Sequence, residues 1–228
     1  RLELVESEEF YRDLIRKAHN YGWAVFLEVD PLKPGIPSLG PEYLNDLLEI
    51  AIHWAKIAEE KKVEFYSPLN EPNVVLNYDL NSWIEKSKVI RPLFSGDMVI
   101  KLADIPENIQ DTKGYDYIAF DIMWEDANYD ELREHLKFAI EKGKELKKKY
   151  KLKGVIFGEL GAEKSRVNEE TQAKIFETIL EETWGKIDGY CFLGWSYLEF
   201  SFRNNEKAKE VIKKWYSKNP DTIHNNNF

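Results

Sequence analysis

Hydrophobic positions along the chain alternate between two periods. Tyr11, Leu14, Ile15 and Ala18 recur at helical spacing behind a possible N-cap at Ser7, and Gly22 closes that helix. The run Trp23 to Val29 (WAVFLEV) follows; it is nearly continuous in apolar residues, as in a strand covered on both faces. Pro41 opens a long helix carrying Leu44, Leu47, Leu48, Ala51, Ala55 and Ala58 on one face and ending near Lys61. The pattern then predicts strand Val63 to Tyr66, a helix over Ser82 to Phe94, and strands Met98 to Leu102 and Tyr117 to Ile122. Further on it predicts a helix from Tyr129 to Tyr150, strand Gly154 to Phe157, a helix capped by Asn168, strand Tyr190 to Leu193 and a last helix over Glu206 to Ser217. The link between the third and fourth strands is too short for more than a turn or a short helix. Strands alternating with helices predict an α/β chain with parallel strands, either an open doubly wound sheet or a closed barrel of βα units. No G-x-G-x-x-G or Walker loop follows any strand, which removes the main reason to expect a nucleotide-binding sheet.

Composition narrows the classes. The 228 residues are enough for one large domain with a core, and 43% of them are hydrophobic. With 32 Lys and Arg against 41 Asp and Glu, the net charge of −9 offers no basic footprint for nucleic acid. Apolar runs such as Ala24 to Leu27 fall well short of the roughly 20 residues of a membrane span. A single cysteine, Cys191, excludes an intrachain disulfide framework and a multi-thiolate zinc site. His19, His53 and His135 fall in helices and His224 in the polar tail, so no histidine stands at a strand end and no metal or other cofactor is expected. Abundant Lys and Glu with two Gln, two Met and one Cys resemble a thermophile composition. Secreted and cytoplasmic locations both remain open.

Reactive groups of parallel α/β folds collect at the carboxyl ends of strands. Here those ends supply Asp30, Asn70 with Glu71, Lys101, Asp121, Trp124, Glu159 and the stretch Trp195 to Glu199. A lone glutamate after a strand is usually a solvated carboxylate or half of an ion pair. Two of them, in SPLNEPN (Ser67 to Asn73) and FGELG (Phe157 to Gly161), are what two-carboxylate glycoside hydrolysis requires. The indoles of Trp124 and Trp195 follow strands, where a flat ring can stack on a sugar. Trp23, Trp54, Trp184 and Trp215 read as core or helix contacts, and Trp83 as core or an outer subsite. Asp30 and Asp121 suit either hydroxyl binding or ion pairing.

SPLNEPN, FGELG and LGWSYLEF (Leu193 to Phe200), with the entry AHNYGWAVFLEVDP, resemble retaining glycoside hydrolases on (β/α)8 barrels. The similarity is greatest to the family 113 endo-β-mannanases and more distant to family 5. That resemblance implies a single catalytic TIM barrel domain over residues 1–228, with Glu71 after strand four and Glu159 after strand seven. It implies Glu71 as acid/base, Asn70 on the sugar 2-hydroxyl, Glu159 as nucleophile, and Trp195 as the platform at the cleavage point, with Trp124, Asp30, Asp121 and Tyr197 as further substrate contacts. The expected substrate is a β-linked oligo- or polysaccharide, mannan before glucan. The clan also places a Tyr near the nucleophile after strand six; here the stretch reads FDIMWED, which leaves Tyr66 and Tyr197 as substitutes. Typical barrels need about 250 residues. Strands four and seven so assigned leave the first two βα units without sequence, so an N-terminal segment completing the barrel is expected before Arg1. A non-catalytic carbohydrate-binding barrel is the alternative. A Schiff-base aldolase or isomerase would have Lys101 as its candidate amine.

Overall fold

The computed structural model describes residues 6–31, 41–76, 79–106, 109–194 and 200–218. Its elements are α1 (Glu8–Asn20), β1 (Phe26–Glu28), α2 (Leu44–Lys61), β2 (Phe65–Ser67), α3 (Pro72–Val75), α4 (Leu80–Ser87), β3 (Asp97–Leu102) and β4 (Tyr117–Met123), then α5 (Tyr129–Tyr150), β5 (Gly154–Gly161), α6 (Glu169–Thr183), β6 (Gly189–Phe192) and α7 (Glu206–Tyr216). Strand order follows chain order, β1-β2-β3-β4-β5-β6. The residues group into two compact units, one of 1–119 with 150–153 and the other of 120–149 with 154–228. No helix among the described residues is long and apolar enough to cross a membrane.

In the first unit β1, β2 and β3 pair in parallel, with Phe26 opposite Phe65, Glu28 opposite Ser67, and Phe65 opposite Asp97. Side chains alternate faces along a strand, so Phe26, Glu28, Phe65, Ser67, Val99 and Lys101 share one face, and Tyr66, Met98 and Ile100 the other. Helix α2 covers the second face. Its apolar stripe of Leu47, Ala51, Trp54, Ala55 and Ala58 is buried, and the Tyr66 hydroxyl donates to the Ala51 carbonyl at 2.7 Å. The small residues of that stripe let the helix lie close to the strands. Trp83 is 1% exposed and belongs to the same core, so it is not available as an outer subsite. Tyr66 is also fully buried on the helix side and cannot orient a nucleophile. At the amino ends of β3 and β4, Asp116 accepts from Arg91 at 2.7 Å and from the Met98 amide at 2.9 Å, and pairs with Lys153 at 3.1 Å.

Trp23, expected as a core or helix contact, is 64% exposed and stacks on Tyr21 at 5.1 Å. The reason is local: the ladder begins only at Phe26, so Trp23 sits in the turn after Gly22.

In the second unit β5 pairs in parallel with β6. Phe176 of α6 meets Phe192 and Phe202 edge-on at 5.2 and 5.7 Å, and Leu132, Leu136 and Ala139 of α5 are fully buried. Gly143 lets α5 approach closely, since a Cβ there would lie 2.9 Å from Val155 Cγ1. Asn205 caps α7 by accepting from the Ala208 amide, while its amide nitrogen donates to Gln172 Oε1 and to the Glu169 carbonyl, both at 2.8 Å.

Candidate active site

The SPLNEPN loop of the first unit is pinned residue by residue. Ser67 Oγ donates to the Leu69 carbonyl at 3.1 Å, and the Asn70 amide donates to the Val29 carbonyl at 2.7 Å. Asn73 Oδ1 accepts from the Ala103 amide at 3.2 Å, which ties the loop to the end of β3. Pro72 opens the four-residue α3, where a missing N–H costs nothing. Glu71, between these anchors, holds a left-handed backbone (φ 47°, ψ 52°), and its carbonyl accepts from Val74 and Val75, both at 2.9 Å. A non-glycine residue pays for that conformation in steric strain, about 1–2 kcal/mol. The Glu71 carboxylate takes no part in pinning the loop and is half-buried at the carboxyl end of β2.

Beside it lies a charged cluster that sequence reasoning did not assemble. Lys101 is 0% exposed; its Nζ donates to Asn70 Oδ1 at 2.5 Å and pairs with Glu28 Oε2 at 3.6 Å. A nucleophilic Schiff-base lysine must be reached by its substrate, so full burial in these contacts removes the feature that singled Lys101 out as a catalytic amine. The legible signal was Glu28, a charge inside the apolar run WAVFLEV. Asp30 follows β1 and is exposed.

In the second unit Glu159 lies on β5, which runs through Gly161 rather than ending at Phe157. Val155 and Phe157 face the helices: Val155 meets Gly143 of α5, and Phe157 packs on Tyr190 at 6.1 Å. Strict alternation would send Glu159 the same way. The register, however, pairs Phe157 with Tyr190 and Leu160 with Phe192, so β5 spends one more residue than β6 over this stretch. That bulge keeps Leu160 on the helix side and turns Glu159 to the other face. Asp121 of β4, 5% exposed, shares that face, because its neighbour Phe120 points at Gly143. The next residue on that face, Gly161, has its side-chain room filled: a Cβ would lie 2.5 Å from Met123 Sδ and 3.0 Å from Phe200. Gln172, 1% exposed, donates to the Ala162 carbonyl at 3.0 Å and steadies the chain where it leaves β5.

The Trp124 amide donates to the Gly161 carbonyl at 3.1 Å, and its indole leans on His135 at 6.1 Å with a buried N–H that has no hydrogen-bond partner among the described residues. Trp195 and Tyr197 lie outside the described residues. Among the described residues no group of three or more His, Cys, Asp or Glu could hold a metal. Two hollows of about 320 and 350 Å³, lined by Lys144, Lys147 and Asp188 and by Glu59, Arg91 and Ser95, lie toward the amino ends of strands, and neither Glu71 nor Glu159 lines them.

No protein-family model matches the sequence, and no curated protein matches it. Solved structures do. A GH113 β-1,4-mannanase in a complex aligns with a TM-score of 0.70 at 14% identity, over 93% of this chain and 80% of that one. The GH113 β-mannanase from Alicyclobacillus acidocaldarius, in complex with ManMIm, gives 0.69 at 14% identity, over 92% and 78%. A β-D-glucuronidase from Dictyoglomus thermophilum gives 0.66 at 15% identity, over 91% of this chain and 43% of that one. At these identities the likeness establishes the fold alone: parallel α/β, matching a partial TIM barrel.

Proposed function

We propose that the chain is the catalytic domain of a retaining glycoside hydrolase acting on a β-linked oligo- or polysaccharide, mannan-like first. The observation that carries this reading is the placement of Asn70-Glu71, on a pinned and strained loop at the carboxyl end of β2, in a chain with the fold of GH113 mannanases. Mannan comes before glucuronide because the likeness extends over 80% of the mannanase chain and 43% of the glucuronidase chain. β2 and β5 take the places of strands four and seven in this assignment.

In the first step Glu159 attacks the anomeric carbon while Glu71 donates its proton to the departing glycosidic oxygen. A covalent glycosyl ester forms on Glu159 and the aglycone leaves. In the second step Glu71, now a carboxylate, takes a proton from water as that water displaces Glu159, and the product keeps its β configuration. Asn70 donates to the sugar 2-hydroxyl through its amide nitrogen. Asp121 and Trp124, with Trp195 and Tyr197, supply hydroxyl and ring contacts.

A 2-deoxy-2-fluoro β-mannoside with an activated leaving group tests this directly. It accumulates as an ester, and peptide mass mapping is expected to find the label on Glu159. Label on a different residue, or unimpaired activity with no label, overturns the assignment. Binding of β-mannooligosaccharides with no reducing ends released supports the non-catalytic alternative, to which Met123 in place of the clan's tyrosine is the pointer.

A further inference from the structure

Lys101 is an expensive residue in its position. A buried ammonium costs several kcal/mol unless paired and hydrogen-bonded, and this one is fully enclosed on a β-strand. Among its partners, Glu28 Oε2 at 3.6 Å shares its sheet face and Asn70 Oδ1 at 2.5 Å belongs to the loop after β2, at the carboxyl ends of the strands. We propose that Lys101 is a positioning residue that locks the Asn70 carboxamide in one of its two orientations. This rests on the glycosidase reading, in which Asn70 binds the hydroxyl beside the reacting carbon.

The reasoning is one of donors and acceptors. An asparagine amide is nearly symmetric in shape, and turning it over exchanges a carbonyl oxygen for an NH2 group. An ammonium carries donors only, so the atom it touches must be the oxygen. The two N–H donors of Nδ2 are then held on the opposite side. The Asn70 main chain is fixed separately by its bond to the Val29 carbonyl, so the ammonium restrains the freedom that remains, rotation of the side chain. Glu28 holds the ammonium in turn. A donor preset toward the 2-hydroxyl pays no reorientation cost as charge develops in the transition state.

The test compares kcat/KM on an aryl β-mannoside and on its 2-deoxy analogue. The Lys101→Met enzyme is expected to lose about 10- to 100-fold on the 2-hydroxyl substrate, chiefly in kcat, and less than about 3-fold on the 2-deoxy one. Asn70→Ala should show the same selectivity, and Asn70→Ala/Lys101→Met should be no worse than Asn70→Ala alone. Because Lys101→Met strands the Glu28 charge, Glu28→Gln/Lys101→Met is run beside it, and thermal melting confirms that each variant is folded. Equal losses on both substrates, or losses that multiply in the double variant, overturn the lock in favour of a structural role. If the unmodified protein cleaves neither substrate, the glycosidase reading has failed. The lock is then judged by the side-chain amide NMR signals of Asn70, assigned with Asn70→Ala: a shift in Lys101→Met retains it, and unchanged signals discard it.

Discussion

The loop after β2 and the strand β5 each present a glutamate, but by different devices. Around Glu71 the work is done by backbone strain and neighbours: a left-handed residue is held between anchors at Ser67, Asn70 and Asn73, with a buried lysine behind. Around Glu159 the strand itself continues, and a single bulged residue re-aims the side chain while Leu160 stays in the core. The first device spends stability in a loop at the point where the carboxylate is displayed. The second keeps the ladder to β6 and spends a register shift. Strain that is concentrated at one residue can be relieved by one substitution; a bulge is shared among the packed side chains around it.

The largest expected contrast is chemical. Glu159→Gln should lower kcat by about 10⁴-fold or more whatever the leaving group, because the nucleophile is needed for every substrate. Glu71→Gln should cost as much on a polysaccharide, yet considerably less on the glycosylation step of a nitrophenyl glycoside, whose leaving group needs no proton. Pre-steady-state release of nitrophenol measures that step. Equal losses for both variants in it would erase the division of roles.

Gly161→Ala probes the end of the bulged strand. Its Cβ would collide with Met123 Sδ and press on Phe200, so thermal or denaturant unfolding should show a loss of about 1–3 kcal/mol, and Met123→Ala in the same chain should recover part of it. Loss without recovery would place the strain in the bulge itself. The smallest effect belongs to the loop after β2 and has the opposite sign. Glu71→Gly relieves the left-handed backbone and, after the extra entropy of a glycine in the unfolded chain, should raise stability by about 0.5–1 kcal/mol while abolishing turnover. Glu159 is absent from the positive-φ residues, so Glu159→Gly should bring no such gain. A destabilised Glu71→Gly protein would show that the loop's anchors depend on the glutamate side chain.

Much of this architecture was legible beforehand, and the reasons are local. Helical periodicity located α5 at Tyr129–Tyr150, the Asn168 cap located the start of α6, and the apolar runs located all six strands to within a few residues. The Asn168 and Ser7 side chains accept from the Thr171 and Phe10 amides as capping chemistry requires. Legibility failed where a residue's surroundings are distant in sequence. The apolar run WAVFLEV makes Trp23 read as a core or helix contact, but no ladder reaches it. Strand position alone leaves Tyr66 open as a partner for the nucleophile; its bond to the Ala51 carbonyl, 15 residues away, fixes it on the helix side.

What the sequence determined by itself is the alternation of parallel strands and helices and the candidate chemistry at their carboxyl ends, including both glutamates, because periodicity, caps and strand boundaries depend on neighbours a few residues apart. What only the tertiary structure decided is direction: the bulge that turns Glu159 away from the helices, the left-handed turn at Glu71, and the junction of Glu28, Asn70 and Lys101. The bulge depends on the register between β5 and β6, the turn on the loop's anchors to Val29 and Ala103, and the junction on the ammonium–amide contact, each joining residues at least 30 apart in the chain. A strand's own residues do not name its partner or say where a bulge falls, and one extra residue exchanges the two faces of everything beyond it.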